Sequence, residues 1–363
     1  MIVFIKIFLI LNQLKNFNAQ IHLNKTNLAI ECNCDPFKSN SIDLFSKNIA
    51  IIDEATFNGL ISLLYLNISF NQISTLKATT FDQLNSLRVL DLYSNQLTKI
   101  EPATFNSLKS LQFLYLSDNK ITAIDPIIFK GLASLQTLWL SSNLIKTIEA
   151  ATFDGLTFLQ VLDLFDNQIT KIDATMLNGL NSLQYLYLSD NRIAAIDRAA
   201  FNKLTSLRRL ELYNNEITAI DPVTFIGLSS LQVLDLYNNQ ITKLKPATFK
   251  SLNSLQFLYL DNNKIAELDP DSFTGLTSLQ YLYLNNNKIN SIHEELFKGL
   301  INLFKLSMES NKIISFNENA LNGLTELNHV CLNDNPISEL FPTFLNGICS
   351  TNPNCRIYVS TKC

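Results

Sequence analysis

The sequence predicts an α/β solenoid, a stack of coils with a parallel β-sheet on its concave side and irregular or short-helical segments on its convex side. Asparagine recurs every 24 residues, at Asn71, Asn95, Asn119, Asn143, Asn167, Asn191, Asn215, Asn239, Asn263, Asn287, Asn311 and Asn335. Each stands in one frame: Leu at minus 8, apolar residues at minus 5 and minus 3, and Leu or Ile at plus 2, as in Leu87, Leu90, Leu92, Asn95 and Leu97. Phenylalanine keeps the same phase ten residues after the asparagine. A strict period of this length belongs to units that bury their apolar edges against their neighbours.

The alternating residues at minus 5 and minus 3 predict a short strand, because successive side chains of a strand point to opposite faces. The asparagine then turns the chain. Pro102, Pro126, Pro222, Pro246 and Pro270 open the convex segment, where a fixed φ suits short helical turns or irregular loops. Phe57, Phe81, Phe105, Phe129, Phe153, Phe201, Phe225, Phe249, Phe273 and Phe297 form the next column, with Leu177 and Leu321 substituting. Eight of the nine glycines lie two residues beyond this column, as in Gly131, Gly155 and Gly275, where a tight bend needs a residue without Cβ.

The frame L-x-x-L-x-L-x-x-N-x-L resembles the signature of leucine-rich repeats, over roughly residues 40 to 340. The resemblance implies a right-handed horseshoe. It also implies an asparagine ladder whose amides bond the backbone of adjacent coils, and a phenylalanine spine like that of the typical 24-residue extracellular subtype.

The ends of the chain differ from the middle. Met1 to Leu11 is apolar apart from Lys6, and Ala19 offers a small residue for cleavage, so residues 1–19 read as a secretory signal peptide. Residues 20–62 read as an N-terminal cap with a degenerate first repeat, 63–340 as the twelve-repeat solenoid, and 341–363 as a cysteine-containing C-terminal cap. No later run is long and apolar enough to span a bilayer. The expected location is therefore the extracellular space. All six cysteines lie near the ends, Cys32 and Cys34 in one group and Cys331, Cys349, Cys355 and Cys363 in the other. The four allow two bridges in three pairings. Cys32 and Cys34 have three open readings: a strained bridge to each other, free thiols, or links to another chain. Sequons occur at Asn24 and Asn67. Asn67 is expected to face out from a strand, where a glycan would shield one end of the concave surface.

The exposed strand positions are expected at minus 6, minus 4, minus 2 and minus 1. Ten of the eleven tyrosines and the single tryptophan fall there, with ten acidic residues against two basic ones, Arg209 and Lys305. The concave face is thus aromatic and acidic, although the whole chain carries a formal charge of only −4. That balance excludes a nucleic-acid binder. The candidate ligand-binding residues are Asp91, Tyr93, Tyr115, Trp139, Asp163, Phe165, Tyr185, Tyr187, Arg209, Glu211, Tyr213, Asp235, Tyr237, Tyr259, Tyr281 and Tyr283. Aromatic residues also favour strands for their own packing. Tyrosine and tryptophan are nonetheless preferred binding anchors, and exposed aromatics on this scale mark contact with a partner.

Residues 87–158, 159–230 and 231–302 align as three blocks of three repeats, opening LRVLDLYSNQLTKI, LQVLDLFDNQITKI and LQVLDLYNNQITKL. The pairs Asp91/Tyr115, Asp163/Tyr187 and Asp235/Tyr259 therefore recur, spaced by about 14 Å along the sheet. A repetitive or extended ligand suits that spacing, and recent duplication explains it equally well.

Only three histidines exist, His22, His293 and His329, and neither metal-ligand spacing nor a nucleophile motif appears. An open sheet is expected to do little to desolvate its carboxylates or shift them. The sequence reads as a non-enzyme without cofactor. The expected function is protein–protein recognition: immune recognition, adhesion, or growth-factor or matrix binding, with a protein ligand that is basic or extended. Self-association stays open. The alternatives are a matrix organiser resembling small leucine-rich proteoglycans, or an inhibitor of a basic enzyme.

Overall fold

The computed structural model describes residues 20–337 and 354–359. The expected signal segment, Cys349, Cys363 and most of the expected C-terminal cap lie outside the described residues. Fourteen short strands form one parallel sheet, running from Ser41–Asp43 through Tyr65–Asn67 and Val89–Asp91 to His329–Cys331 and Arg356–Tyr358. Neighbours pair at the repeat offset, Tyr65 with Val89 and Val89 with Phe113, so every column of the sequence becomes a row across the sheet. The last pairing departs from this, with His329 beside Arg356. The sheet thus starts inside the segment read as a cap and ends beyond the last asparagine frame.

Leucines at minus 5 and minus 3 point inward and are buried, as Leu90 and Leu92 illustrate. They meet the phenylalanine column in one continuous core. Phe57, Phe81 and Phe105 stack at centroid separations of 6.0 and 6.3 Å. The run from Phe201 to Phe297 stacks at 6.1 to 6.4 Å. Complete burial of a phenylalanine contributes about 1.5–3 kcal/mol, so the spine is a principal source of stability. Residues 41–335 contain no α-helix. The convex side is built from turns, with short added pairings such as Lys171–Ile172 against Ala195–Ile196.

The asparagines bind coil to coil. Asn191 Nδ2 donates to the carbonyls of Leu164, Leu188 and Ser189 at 2.9, 3.1 and 3.2 Å, and its Oδ1 accepts from the Ile169 amide at 2.9 Å. The same set recurs at Asn215 and Asn239. These bonds satisfy backbone groups that the turn would otherwise leave buried and unpaired.

The residue before each asparagine corrects an expectation. From Phe70 to Asp334 all of them adopt φ between 50° and 57°, so minus 1 is a left-handed turn position and not a strand position. Apart from Phe70, the column holds only Ser, Asp and Asn, short polar side chains of which Asn and Asp tolerate this conformation best. Asp118, Asp166, Asp190 and Asp334 therefore answer a backbone demand, and part of the acidity assigned to the concave face is turn chemistry.

At the N-terminal end, the helix Leu28–Cys32 closes on Asn33, which is left-handed at φ 50°. Cys32 and Cys34 are joined to each other with Cα atoms 5.3 Å apart, which selects one of the three readings. Cys331 and Cys355 are each in a disulfide as well.

Candidate functional site

The outward residues of the strands form three rows across the sheet. At minus 4 the order is Asp91, Tyr115, Trp139, Asp163, Tyr187, Glu211, Asp235, Tyr259, Tyr283. Asp91 lies beside Tyr115, Asp163 beside Tyr187 and Asp235 beside Tyr259, so the structure brings together all three pairs that the block repeat marks. The minus 6 row carries Tyr185, Arg209 and Tyr281; the minus 2 row carries Tyr93, Phe165, Tyr213 and Tyr237.

These side chains are less exposed than the strand alternation implies. Of the sixteen candidates only Trp139, at 41 %, and Tyr237, at 39 %, are exposed, and the rest are half-buried. The cause is the narrow separation of strands, about 4.8 Å, which forces large neighbours into contact. Tyr115 packs on Trp139 at 4.6 Å. Tyr259 and Tyr283 stack at 5.0 Å with planes 2° apart, and Phe257 and Tyr281 at 4.8 Å with planes 5° apart. Lys305 sits over the Tyr283 ring at 5.9 Å.

Crowding also alters the acids, against the expectation that an open sheet leaves them unshifted. Burial raises the carboxyls of Asp91 and Asp163. Asp235 is pushed up to about 6, chiefly by burial and further by Glu211, although it accepts a hydrogen bond from the Tyr237 amide at 3.0 Å. Asp261, only 8 % exposed, is likewise raised to about 6 by burial, against a hydrogen bond from the Asn285 amide at 3.1 Å. Tyr213 is pushed up to about 12 by burial and then by Glu211, so its hydroxyl keeps its proton. Arg209 is held by Glu211, its Nε 2.5 Å from Oε1.

Several contributors lie outside the sixteen candidates. Asp261 occupies minus 2, and nothing in the sequence singles it out from exposed acids. Phe304 and His329 meet edge to face at 5.4 Å, and His329 continues to Tyr358 at 5.6 Å. Burial, then Lys305 and Arg356, hold the His329 imidazole below its usual range. Tyr358, the one tyrosine outside the repeat frame, extends the aromatic surface through the last strand. Its only sequence signal is the alternation in Arg356-Ile357-Tyr358.

The sequons also separate. Asn67 is 9 % exposed, its Nδ2 donates to Asp43 at 2.9 Å, and its Oδ1 accepts from the Ser69 amide and hydroxyl. Asn67 stands in the outward minus 4 row, in register with Asp43 and Asp91, yet its glycan-bearing nitrogen is engaged and covered. Asn24 is half-buried and uses Oδ1 to accept from Thr26 and Asn27.

Among the described residues no group of three or more His, Cys, Asp or Glu side chains is arranged to hold a metal ion, and no helix is long and apolar enough to cross a membrane.

A family profile described as "Leucine rich repeat" matches residues 40–97, 86–145, 134–193, 182–241, 229–289 and 279–337. A search of curated proteins returned no match. Among solved structures, an LRR protein of Leptospira interrogans is 29 % identical with a TM-score of 0.76, covering 94 % of this chain and 82 % of its own. A chain of the TLR13–ssRNA13 complex is 26 % identical with a TM-score of 0.62 over 88 % of this chain, which spans 54 % of it. A chain of the octameric complex of latrophilin 3, Unc5D and FLRT2 (LRR) is 25 % identical with a TM-score of 0.65, covering 76 % and 84 %.

Proposed function

Because this chain belongs to the leucine-rich repeat family, we propose that it acts in protein–protein recognition, using the aromatic and acidic face of its sheet. The observation that carries this reading is the minus 4 row, where half-buried carboxylates are interspersed with aromatic rings along neighbouring strands. Large rigid rings with polar tips lose little entropy on binding. A surplus of carboxylates favours a basic partner and speeds its encounter, and the length of the row suits an extended one. The FLRT2 neighbour supports the reading, since it occurs in an octameric complex with latrophilin 3 and Unc5D.

The same reading makes the protein secreted and of the 24-residue extracellular subtype. It assigns residues 1–19 to a signal, 20–62 to an N-terminal cap with a degenerate first repeat, 63–340 to the repeats and 341–363 to a C-terminal cap. The bridged Cys32 and Cys34, with Cys331 and Cys355, support an oxidising compartment.

The test is affinity capture of extracellular proteins from the source tissue. The bait is the secreted chain, beside a variant carrying Tyr115→Ser, Trp139→Ser, Tyr187→Ser, Glu211→Ser and Tyr259→Ser. Circular dichroism checks that the variant folds. A protein retained by the wild type and lost by the folded variant is the expected result. Identical captures by both would overturn the assignment to this face.

A further inference from the structure

The tyrosine stack has two ends that differ. Tyr259 and Tyr283 lie parallel at 5.0 Å, so each covers one face of the other. The outer face of Tyr283 is taken by Lys305 at 5.9 Å, a cation–π contact made within the chain itself. On the opposite side of Tyr259 the neighbour in register is Asp235, and among the described residues no ring or cation covers that face. The surrounding charges are unbalanced. The preceding strand brings Arg209, Glu211 and, just beyond it, Tyr213; the strand of Asp235 continues to Tyr237; the following strand carries Tyr259 and leads to Asp261. The one cation, Arg209, is already paired with Glu211 at 2.5 Å. Asp235 is thus half-buried with only Arg209, already bonded to Glu211, to lower it. Asp261 is buried, accepts from the Asn285 amide and adds a second carboxyl close enough to feel Asp235's charge.

We infer that a lysine or arginine side chain of the partner docks on the open face of Tyr259, against Asp235 and Asp261, in mirror image of the contact that Lys305 makes at the other end of the stack. This rests on the recognition reading above and adds to it the chemistry of one subsite. Charge complementarity selects the occupant, since a neutral group would leave two desolvated carboxylates without a counter-charge. The burial that raises Asp235 and Asp261 to about 6 gives the subsite a pH signature: a docked cation requires their ionised forms, so affinity falls as pH drops through that value.

The probe is a labelled peptide, Arg-Gly-Ser-Gly-Arg-Gly-Ser-Gly-Arg, with its glutamate counterpart as control. Arginines four residues apart lie about 14 Å apart in extended chain. Binding is read by fluorescence anisotropy at about 50 mM salt, low enough that charge contacts are not masked. The arginine peptide should bind at least about tenfold tighter than the glutamate peptide, and Asp235→Asn with Asp261→Asn should weaken it by about tenfold or more. A convex-side control of equal charge change, Glu149→Gln with Asp154→Asn, should stay within about twofold. Lowering pH from 7.5 to 5 should weaken wild-type binding by a larger factor than that of the variant carrying Asp235→Asn and Asp261→Asn, in which Asp91 and Asp163 still titrate. Equal binding by both variants, or a wild type insensitive to pH, would overturn the subsite. If the captured natural partner is lost with the aromatic substitutions but kept with Asp235→Asn and Asp261→Asn, recognition by this face stands and the cation subsite falls.

Discussion

Replacing Asp261 by Asn should stabilise the protein at neutral pH and do nothing near pH 3.5. The carboxyl is 8 % exposed and raised from 3.8 to about 6 by burial. A carboxyl raised in the fold binds its proton more tightly there than in the unfolded chain. The fold therefore carries no penalty from Asp261 below about pH 3.8, a growing one between that value and about 6, and the full one above it. A rise of this size disfavours the ionised form by at most about 3 kcal/mol. Asparagine keeps an oxygen to accept from the Asn285 amide, so the main change is loss of charge. We expect a gain of about 1–3 kcal/mol at pH 7.5 that vanishes at pH 3.5. Urea unfolding followed by circular dichroism at both values measures it. A variant less stable at pH 7.5, or one equally stabilised at both, would show that buried charge is not the cause.

Three further outcomes follow from the geometry. Asn191→Ala removes two hydrogen bonds to the preceding coil and two within its own, and leaves backbone groups buried without partners, costing about 3–5 kcal/mol in urea unfolding. Gly155→Ala and Gly275→Ala both place a side chain at positive φ, 85° and 93°, but only the second puts Cβ 2.5 Å from a backbone oxygen, that of Lys250. Gly155→Ala should cost about 1–2 kcal/mol and Gly275→Ala clearly more, as thermal unfolding of the pair will show. Expressed in a secretory eukaryotic host, the folded protein should carry glycan at Asn24 and none at Asn67, where Nδ2 is committed to Asp43; peptide mass spectrometry reads this directly.

The scaffold was legible because each of its demands repeats. Leu90, Leu92 and Asn95 need no context beyond the next repeat to declare strand, strand and turn. The recognition face was legible as a list of columns, and the register sets Asp235 beside Tyr259 as the column rule requires. Its energetics were not. That Asp261 is buried depends on how large side chains crowd at a strand spacing of about 4.8 Å, which no single column reveals. The left-handed residues before each asparagine hid in plain view, since a run of Ser, Asp and Asn serves an exposed strand and a turn equally well. Asn67 looked outward by alternation, yet Asp43 and Ser69 close over it. Tyr358 joins the sheet with His329 beside Arg356, a 27-residue step that no 24-residue template anticipates.

The asparagine ladder has a mechanical consequence. Each amide reaches only its own coil and the one before, as Asn191 does with Leu188 and Leu164. Tension applied to the two ends of the chain therefore meets the rungs in series and not in parallel, and nothing beyond the nearest coil shares the load. Such a molecule should yield from an end inward, one coil at a time, each rupture paying out 24 residues or about 80 Å of extended chain. It would behave as a spring with a fixed step and not as a rod that snaps.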